Sequence, residues 1–219
     1  MKPRTRVKIC GITSIADAQL SVTHGADAIG MVFYPKSPRC VSIARAVEIS
    51  RAVGPYVNVV ALFVDPTAGE VKSLLSRASI QTLQFQGNEN ADFCEQFSLP
   101  YIKAVRVPAP DTDSEAAISV VQQTVLHECH THPRAQGILL DTYHENQPGG
   151  TGKRFDWRCV PASQQYQWIL AGGLKPDNVA EAIAQVVPYA VDVCSGVEAE
   201  PGKKDSEKLK AFIQTVNNS

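Results

Sequence analysis

Two side chains in this 219-residue sequence stand where proton transfer would need them: Cys10, closing the run Arg6-Val7-Lys8-Ile9-Cys10, and Asp141, closing Gly137-Ile138-Leu139-Leu140-Asp141. A thiol makes a base and a carboxyl an acid only when each is moved from its ordinary range. A free thiol, near ~8.5, is mostly protonated at neutral pH, and a free aspartate, near ~3.9, is mostly ionised. A site that uses both must lower the first or raise the second. Lys8, one inward step before Cys10, supplies a charge that favours the thiolate. Glycine-rich turns add a second kind of chemistry. Ala171-Gly172-Gly173 and Ser195-Gly196-Val197-Glu198 let backbone approach an anion and present N–H groups to it, as phosphate cradles do. A third such segment, Pro148-Gly149-Gly150-Thr151-Gly152-Lys153, lacks the full nucleotide P-loop pattern.

Positioning these groups falls to short apolar runs rich in Val, Ile and Phe, which alternate with helical patterns along the whole chain. Strands are expected near 6–10, 28–33, 57–64, 80–86, 101–105, 137–141, 167–171 and 190–194. Helical spacing is clear at Val71/Leu74/Leu75/Ala78, at Val179/Ala182/Ile183/Val186 and at Leu209/Phe212/Ile213/Val216. Ser14-x-x-Asp17 and Thr67-x-x-Glu70 read as capping boxes, and Pro176 suits the first turn of a seventh helix. Eight βα units without a dividing linker predict one α/β domain over residues 1–219, a single (β/α)₈ TIM barrel, with the doubly wound open sheet as the competing architecture.

Strand alternation then sorts the side chains. Val7/Ile9, Leu83/Phe85, Ile138/Leu140 and Val191/Val193 form helix-facing rows, opposite Lys8/Cys10, Gln84/Gln86, Leu139/Asp141 and Asp192/Cys194. Inward rows that turn polar toward the strand's C-terminal end mark the catalytic face of a barrel. Closure makes the first and eighth strands neighbours, so Lys8 and Asp192 should meet in a buried ion pair. That pair either only neutralises two interior charges or also tunes Cys10.

The remaining composition narrows the partners. A net charge of −1 gives no reason to expect nucleic acid, and no apolar run is long enough to span a bilayer. The N-terminal MKPRTRVKICG has no apolar signal region, and six scattered cysteines without a Cys-x-x-Cys pair suit a reducing cytoplasm better than a zinc site or disulfide framework. The stretch His127-Glu128-Cys129-His130-Thr131-His132 reads as a solvated helix end rather than a ligand set. The outer helices carry no apolar stripe from which an oligomeric state can be read.

Five segments in order carry a more specific signal. They are Lys8-Ile9-Cys10-Gly11-Ile12, Phe33-Tyr34-Pro35-Lys36-Ser37-Pro38-Arg39, LLDTYHENQPGGTGKRFDW (Leu139 through Trp157), LAGGLKPDNV (ending at Val179) and VDVCSGVE (ending at Glu198). Together they resemble the phosphoribosylanthranilate isomerase family of the tryptophan pathway over nearly the entire chain. The resemblance implies an Amadori rearrangement of a small phosphorylated substrate, without cofactor or metal. It implies Cys10 as base, Asp141 as acid and Arg39 as holder of the anthranilate carboxylate. Gly172, Gly173, Ser195 and Gly196 would cradle the phosphate, with Gly152 adding to it, and Gln86 and Asp192 would touch substrate. Two positions depart from the family pattern. Cys194 replaces the first of two serines before the strand 8 glycine, and Gln86-Gly87 replaces a His-Gly, so position 86 can hydrogen-bond but not titrate. Cys194 should lie near Cys10 across the barrel's closure. A phosphate-binding barrel without catalysis and another sugar-phosphate isomerase are the competing readings; both Cys10 and Asp141 speak against the first, and Arg39 against the second.

Overall fold

A computed structural model describes residues 4–142, 155–163 and 165–219. Eight parallel strands run in chain order around the molecule: β1 (Arg6–Ile9), β2 (Ala28–Val32), β3 (Asn58–Phe63), β4 (Thr82–Phe85), β5 (Tyr101–Val107), β6 (Gly137–Thr142), β7 (Trp168–Leu170) and β8 (Ala190–Val193). Each pairs with the next, and β8 pairs with β1, in a register that sets Lys8 against Asp192 and Ile9 against Val193. That closure is a TIM barrel and removes the open-sheet alternative.

Seven α-helices are seen among the described residues: α1 (Ile15–His24), α2 (Ile43–Ala52), α3 (Ala68–Leu75), α4 (Ala91–Glu95), α5 (Glu115–His130), α6 (Val179–Val186) and α7 (Ser206–Asn217). Their starts are set by side-chain caps: Ser14, Ser42, Thr67, Asn90, Ser114 and Asp205 each accept from a backbone N–H one turn on. Thr67 and Glu70 complete a reciprocal capping box. The start of α6 differs from expectation. Asn178 accepts from Lys175 N at 2.9 Å, so Pro176 lies in the turn before the helix rather than in its first turn. The expected helix between β6 and β7 is also missing from the described residues, which hold only a 3₁₀ turn at Trp157–Cys159. Pro148, Gly149, Gly150, Gly152 and Pro161 load that connection with residues that disfavour a helix.

The core has two layers. The larger lies between sheet and helices and contains the row Val7, Ile9, Leu83, Phe85, Ile138, Leu140, Val191 and Val193. A smaller cluster, Ile102, Ala104, Leu139, Ile169, Ala171 and Ala190, fills the barrel interior. Opposite strand faces therefore bury different chemistry, as alternation requires. At the end of α5 the histidine-rich stretch divides: His127 and His130 sit in the last turn, while Cys129 and His132 are buried, His132 against the Tyr101 hydroxyl at 3.5 Å. No helix among the described residues is long and apolar enough to cross a membrane.

Candidate active site

At the C-terminal ends of the strands the barrel opens into a cavity of about 390 Å³. Its walls include Cys10, Arg39, Gln86, Asp141, Gly172, Gly173, Asp192, Ser195 and Gly196, the expected site residues gathered from six strand ends. Lys8 lies buried beneath them, and Gly152 falls outside the described residues.

The strand that carries Cys10 also carries its charge partner. Lys8 Nζ donates to Asp192 Oδ1 across 2.9 Å, with both side chains less than one-tenth exposed. Burial alone would push the ammonium down. Asp192, and then Cys10, more than offset this and hold it above the ordinary lysine range. Lys8 thus stays charged under the thiol. Cys10 itself is moved down to about 7, first by a hydrogen bond from the Cys194 thiol and then by Lys8, against a burial penalty that works the other way. Cys194 moves in the opposite direction, well above the ordinary thiol range, because it keeps the proton it donates and because it is buried. The Cys194 thiol also has Glu198 Oε1 as an acceptor at 3.8 Å, and of the two sulfurs Cys10 is the more readily ionised.

On the other side of the cavity Asp141 accepts from two donors among the described residues. Its own strand supplies Thr142 N to Oδ1 at 2.8 Å, and Gln86 Nε2 reaches Oδ2 at 3.1 Å from the end of β4. Gln86 is aimed in turn by Gln84, one inward step earlier, whose Nε2 donates to Gln86 Oε1 at 2.9 Å. Gln84 Oε1 is buried with no hydrogen-bond partner among the described residues. Gln84 also lines the cavity, and nothing in its sequence setting beyond inward parity singled it out.

The glycine loops close the site between β7, β8 and the helices that follow. Gly172 has φ +76°, and a Cβ there would stand 2.9 Å from Thr142 N and 3.1 Å from Asp141 Oδ1. Gly196 has no room for a side chain either, because a Cβ would run into the Leu174 carbonyl. The two loops therefore pack backbone against backbone, with no space for side chains at these two positions.

Arg39 arrives from the loop after β2. Glu198 takes its Nε at 2.9 Å and its Nη2 at 2.6 Å, leaving the Nη1 donors outside the pair on a side chain that lines the cavity. Glu198 also accepts from Lys204 Nζ at 3.1 Å and from Gly202 N at 3.3 Å. Burial would raise its carboxyl, but Arg39 and Lys204 hold it below the ordinary range. This arrangement depends on a small hairpin, β9 (Glu198–Glu200) and β10 (Lys203–Lys204), which folds the loop after β8 back on itself. The Pro201-Gly202 pair at its tip, with Gly202 at φ +85°, is a turn signal present in the sequence. Sequence reasoning included Glu198 in a motif but gave it no task, and it missed Lys204.

Comparison with known proteins agrees with this geometry. The sequence matches the family profile described as N-(5′-phosphoribosyl)anthranilate (PRA) isomerase over residues 7–215. It is 52% identical over 217 residues to the N-(5′-phosphoribosyl)anthranilate isomerase of Pseudomonas fluorescens, covering 99% of this chain and 98% of that protein. The fold superposes on the phosphoribosyl anthranilate isomerase of Thermus thermophilus with a TM-score of 0.82 at 35% identity, over 98% and 99% of the two chains. A further isomerase structure, solved with reduced 1-(o-carboxyphenylamino)-1-deoxyribulose 5-phosphate, gives a TM-score of 0.78 at 36% identity over 98% and 100%. With its barrel and nearly its whole length matched, the chain belongs to the N-(5′-phosphoribosyl)anthranilate isomerase family.

Proposed function

We propose that the cavity converts N-(5′-phosphoribosyl)anthranilate to 1-(2-carboxyphenylamino)-1-deoxyribulose 5-phosphate, with Asp141 as general acid and Cys10 as general base. Asp141 gives a proton to the furanose ring oxygen, the bond from that oxygen to C1′ breaks, and nitrogen's lone pair forms the iminium. Cys10 thiolate then removes the proton on C2′, and the electron pair moves to give an enolamine. Tautomerisation to the ketone completes an isomerisation that is redox-neutral overall, so proton transfers suffice.

The observation that carries this reading is the pairing of a thiol lowered to about 7 with a carboxyl on another wall of one cavity. A base titrating near the working pH combines a large thiolate fraction with enough basicity to take a carbon-bound proton. The Gln84–Gln86 pair suits the acid's two states. An amide offers its Nε2 to a carboxylate and, turned over, its Oε1 to a carboxylic acid. The Nη1 donors of Arg39 fit the anthranilate carboxylate, a task for guanidinium geometry. Gly172, Gly173, Ser195 and Gly196 hold the phosphate, and Asp192 faces the sugar from the cavity floor.

The test is loss of anthranilate fluorescence on the phosphoribosyl substrate by wild type, Cys10→Ala and Asp141→Ala. Both variants should lose most of their activity, since a positioned acid or base contributes about 10²–10⁴-fold. Near-wild-type rates in either would remove that residue from the mechanism.

A further inference from the structure

The barrel closes where β8 meets β1, and the residues that follow the last paired positions of these strands are both cysteines. Ile9 is paired with Val193, and Cys10 N donates to Val193 O at 2.8 Å. One step on, Cys10 and Cys194 face each other from neighbouring parallel strands. Such strands lie about 4.8 Å apart, within the roughly 4.4–6.8 Å between Cα atoms that a disulfide spans. Lys8 and Asp192, one inward step earlier on the same two strands, already meet at 2.9 Å, so the inward side chains of this seam lie within reach of each other. Both remain free thiols, and both line the same cavity.

We infer that Cys10 and Cys194 form a reversible oxidation site, in which a small hydroperoxide converts the pair to a disulfide and removes the base. Three features of the geometry support it. Cys10 has an ammonium beneath it in Lys8, whose own charge is kept by Asp192. Cys194 stays the protonated partner, with Glu198 Oε1 at 3.8 Å and Lys204 Nζ at 4.0 Å from its sulfur. The cavity of about 390 Å³ admits a molecule as small as hydrogen peroxide to both sulfurs. A thiolate with an accessible cavity and a second thiol on the neighbouring strand is the arrangement of a redox-sensitive cysteine with its resolving partner.

The chemistry balances without a cofactor. Cys10 thiolate attacks one oxygen of the hydroperoxide; an S–O bond forms, the O–O bond breaks, and the alkoxide or hydroxide leaves to take a proton from water. The Cys194 sulfur then attacks the Cys10 sulfenic acid. The S–S bond forms, the S–O bond breaks, and hydroxide leaves as water with the Cys194 proton. Each sulfur loses one electron and the hydroperoxide gains two. A dithiol reverses the step by exchange.

The oxidation itself stands on the placement of the two sulfurs; its effect on turnover rests on Cys10 as the base. Purified protein is titrated with hydrogen peroxide, then split for activity, peptide mapping and treatment with dithiothreitol. The expected result is a linked Cys10–Cys194 peptide whose yield tracks the loss of activity, with both reversed by dithiothreitol. In Cys194→Ala and Cys194→Ser, oxidation should stop at a Cys10 sulfenic acid trapped by dimedone. Excess peroxide should carry these variants on to a sulfinic acid that dithiothreitol does not rescue. Unlinked Cys10 and Cys194 peptides throughout the titration would overturn the site, as would equal and equally reversible loss in the Cys194 variants. A linked pair in a fully active protein would leave the oxidation site standing and overturn Cys10 as the base.

Discussion

Lys8 Nζ stands 2.9 Å from Asp192 Oδ1 inside the barrel, one inward step below Cys10. Neither partner is dispensable alone, because removing one leaves the other charged and buried. Lys8→Met should lower stability by about 3–5 kcal/mol, the usual result of orphaning one half of a buried pair. The double variant Lys8→Met/Asp192→Leu should regain most of that loss. Both should share a second effect, because both take a cation from beneath the thiol: the limb of the pH–rate profile set by Cys10 should move to higher pH. Urea melts of the three proteins give the first quantity and kcat/KM against pH the second. If the limb stays in place in the double variant, the pair serves folding only.

In the wild-type protein that limb has a sign fixed by the shift itself. The Cys10 value in the folded protein, about 7, lies below that of a free thiol, so the thiolate persists at pH values where an unassisted cysteine is protonated. The limb of kcat/KM set by Cys10 should therefore rise about tenfold per pH unit up to this value and level off above it, while deprotonation of the acid Asp141 sets the opposite limb, on which the rate falls as pH rises. A thiol-specific alkylating agent should modify Cys10 with the same pH dependence. Buried Cys94 and Cys129, which desolvation pushes up to about 12, should stay inert across the range.

Lys8 and Asp192 were legible in the sequence because two regularities sufficed: alternation along a strand and closure of eight units into a ring. The same logic placed Gln86 and Asp141 at inward strand ends and Cys194 beside Cys10, though not the Gln86–Asp141 hydrogen bond. It failed where the chain leaves regular structure. Glu198 meets Arg39, 159 positions away in sequence, only because a hairpin tipped by Pro201-Gly202 folds back over the cavity. No local period encodes that contact. After β6 the βα rhythm predicts a helix, and the described part of that connection holds only the 3₁₀ turn at Trp157–Cys159.

Gln86 is the position to test for control of the acid. Its hydrogen bond to Asp141 Oδ2 spans 3.1 Å, and its own orientation depends on Gln84. A hydrogen bond to a charged group contributes about 1.5–3 kcal/mol, and each 1.36 kcal/mol on the barrier is about tenfold in rate. Gln86→Leu should thus lower kcat by about 10- to 100-fold with little change in KM. Gln86→Glu sets a second carboxyl against Asp141, so two groups compete for one charge and the acid limb should move up in pH. A KM effect without a kcat effect in the leucine variant would make Gln86 a binding contact instead.

Glu198 joins two cations, Arg39 and Lys204, so on the proposed role of Arg39 it couples carboxylate recognition to stability. Its folded-state carboxyl lies below the ordinary range, so its contribution is fully present above the unfolded value near ~4.3 and is lost as pH falls through the depressed folded value. Glu198→Gln keeps the shape and removes the charge. At neutral pH the melting temperature should fall by about 6–12 °C for a loss of about 3 kcal/mol in a chain of this size. The gap between variant and wild type should narrow as the pH is taken below about 4, where wild-type Glu198 becomes protonated as well. Arg39, released from its partner, should hold the substrate carboxylate less firmly, raising KM more than it lowers kcat. Arg39→Lys should raise KM in the same way with less effect on melting, since it keeps the charge toward Glu198 and loses the planar fork. A gap in melting temperature that stays constant from neutral to acid pH would mean that packing around Glu198, not its charge, supports the loop.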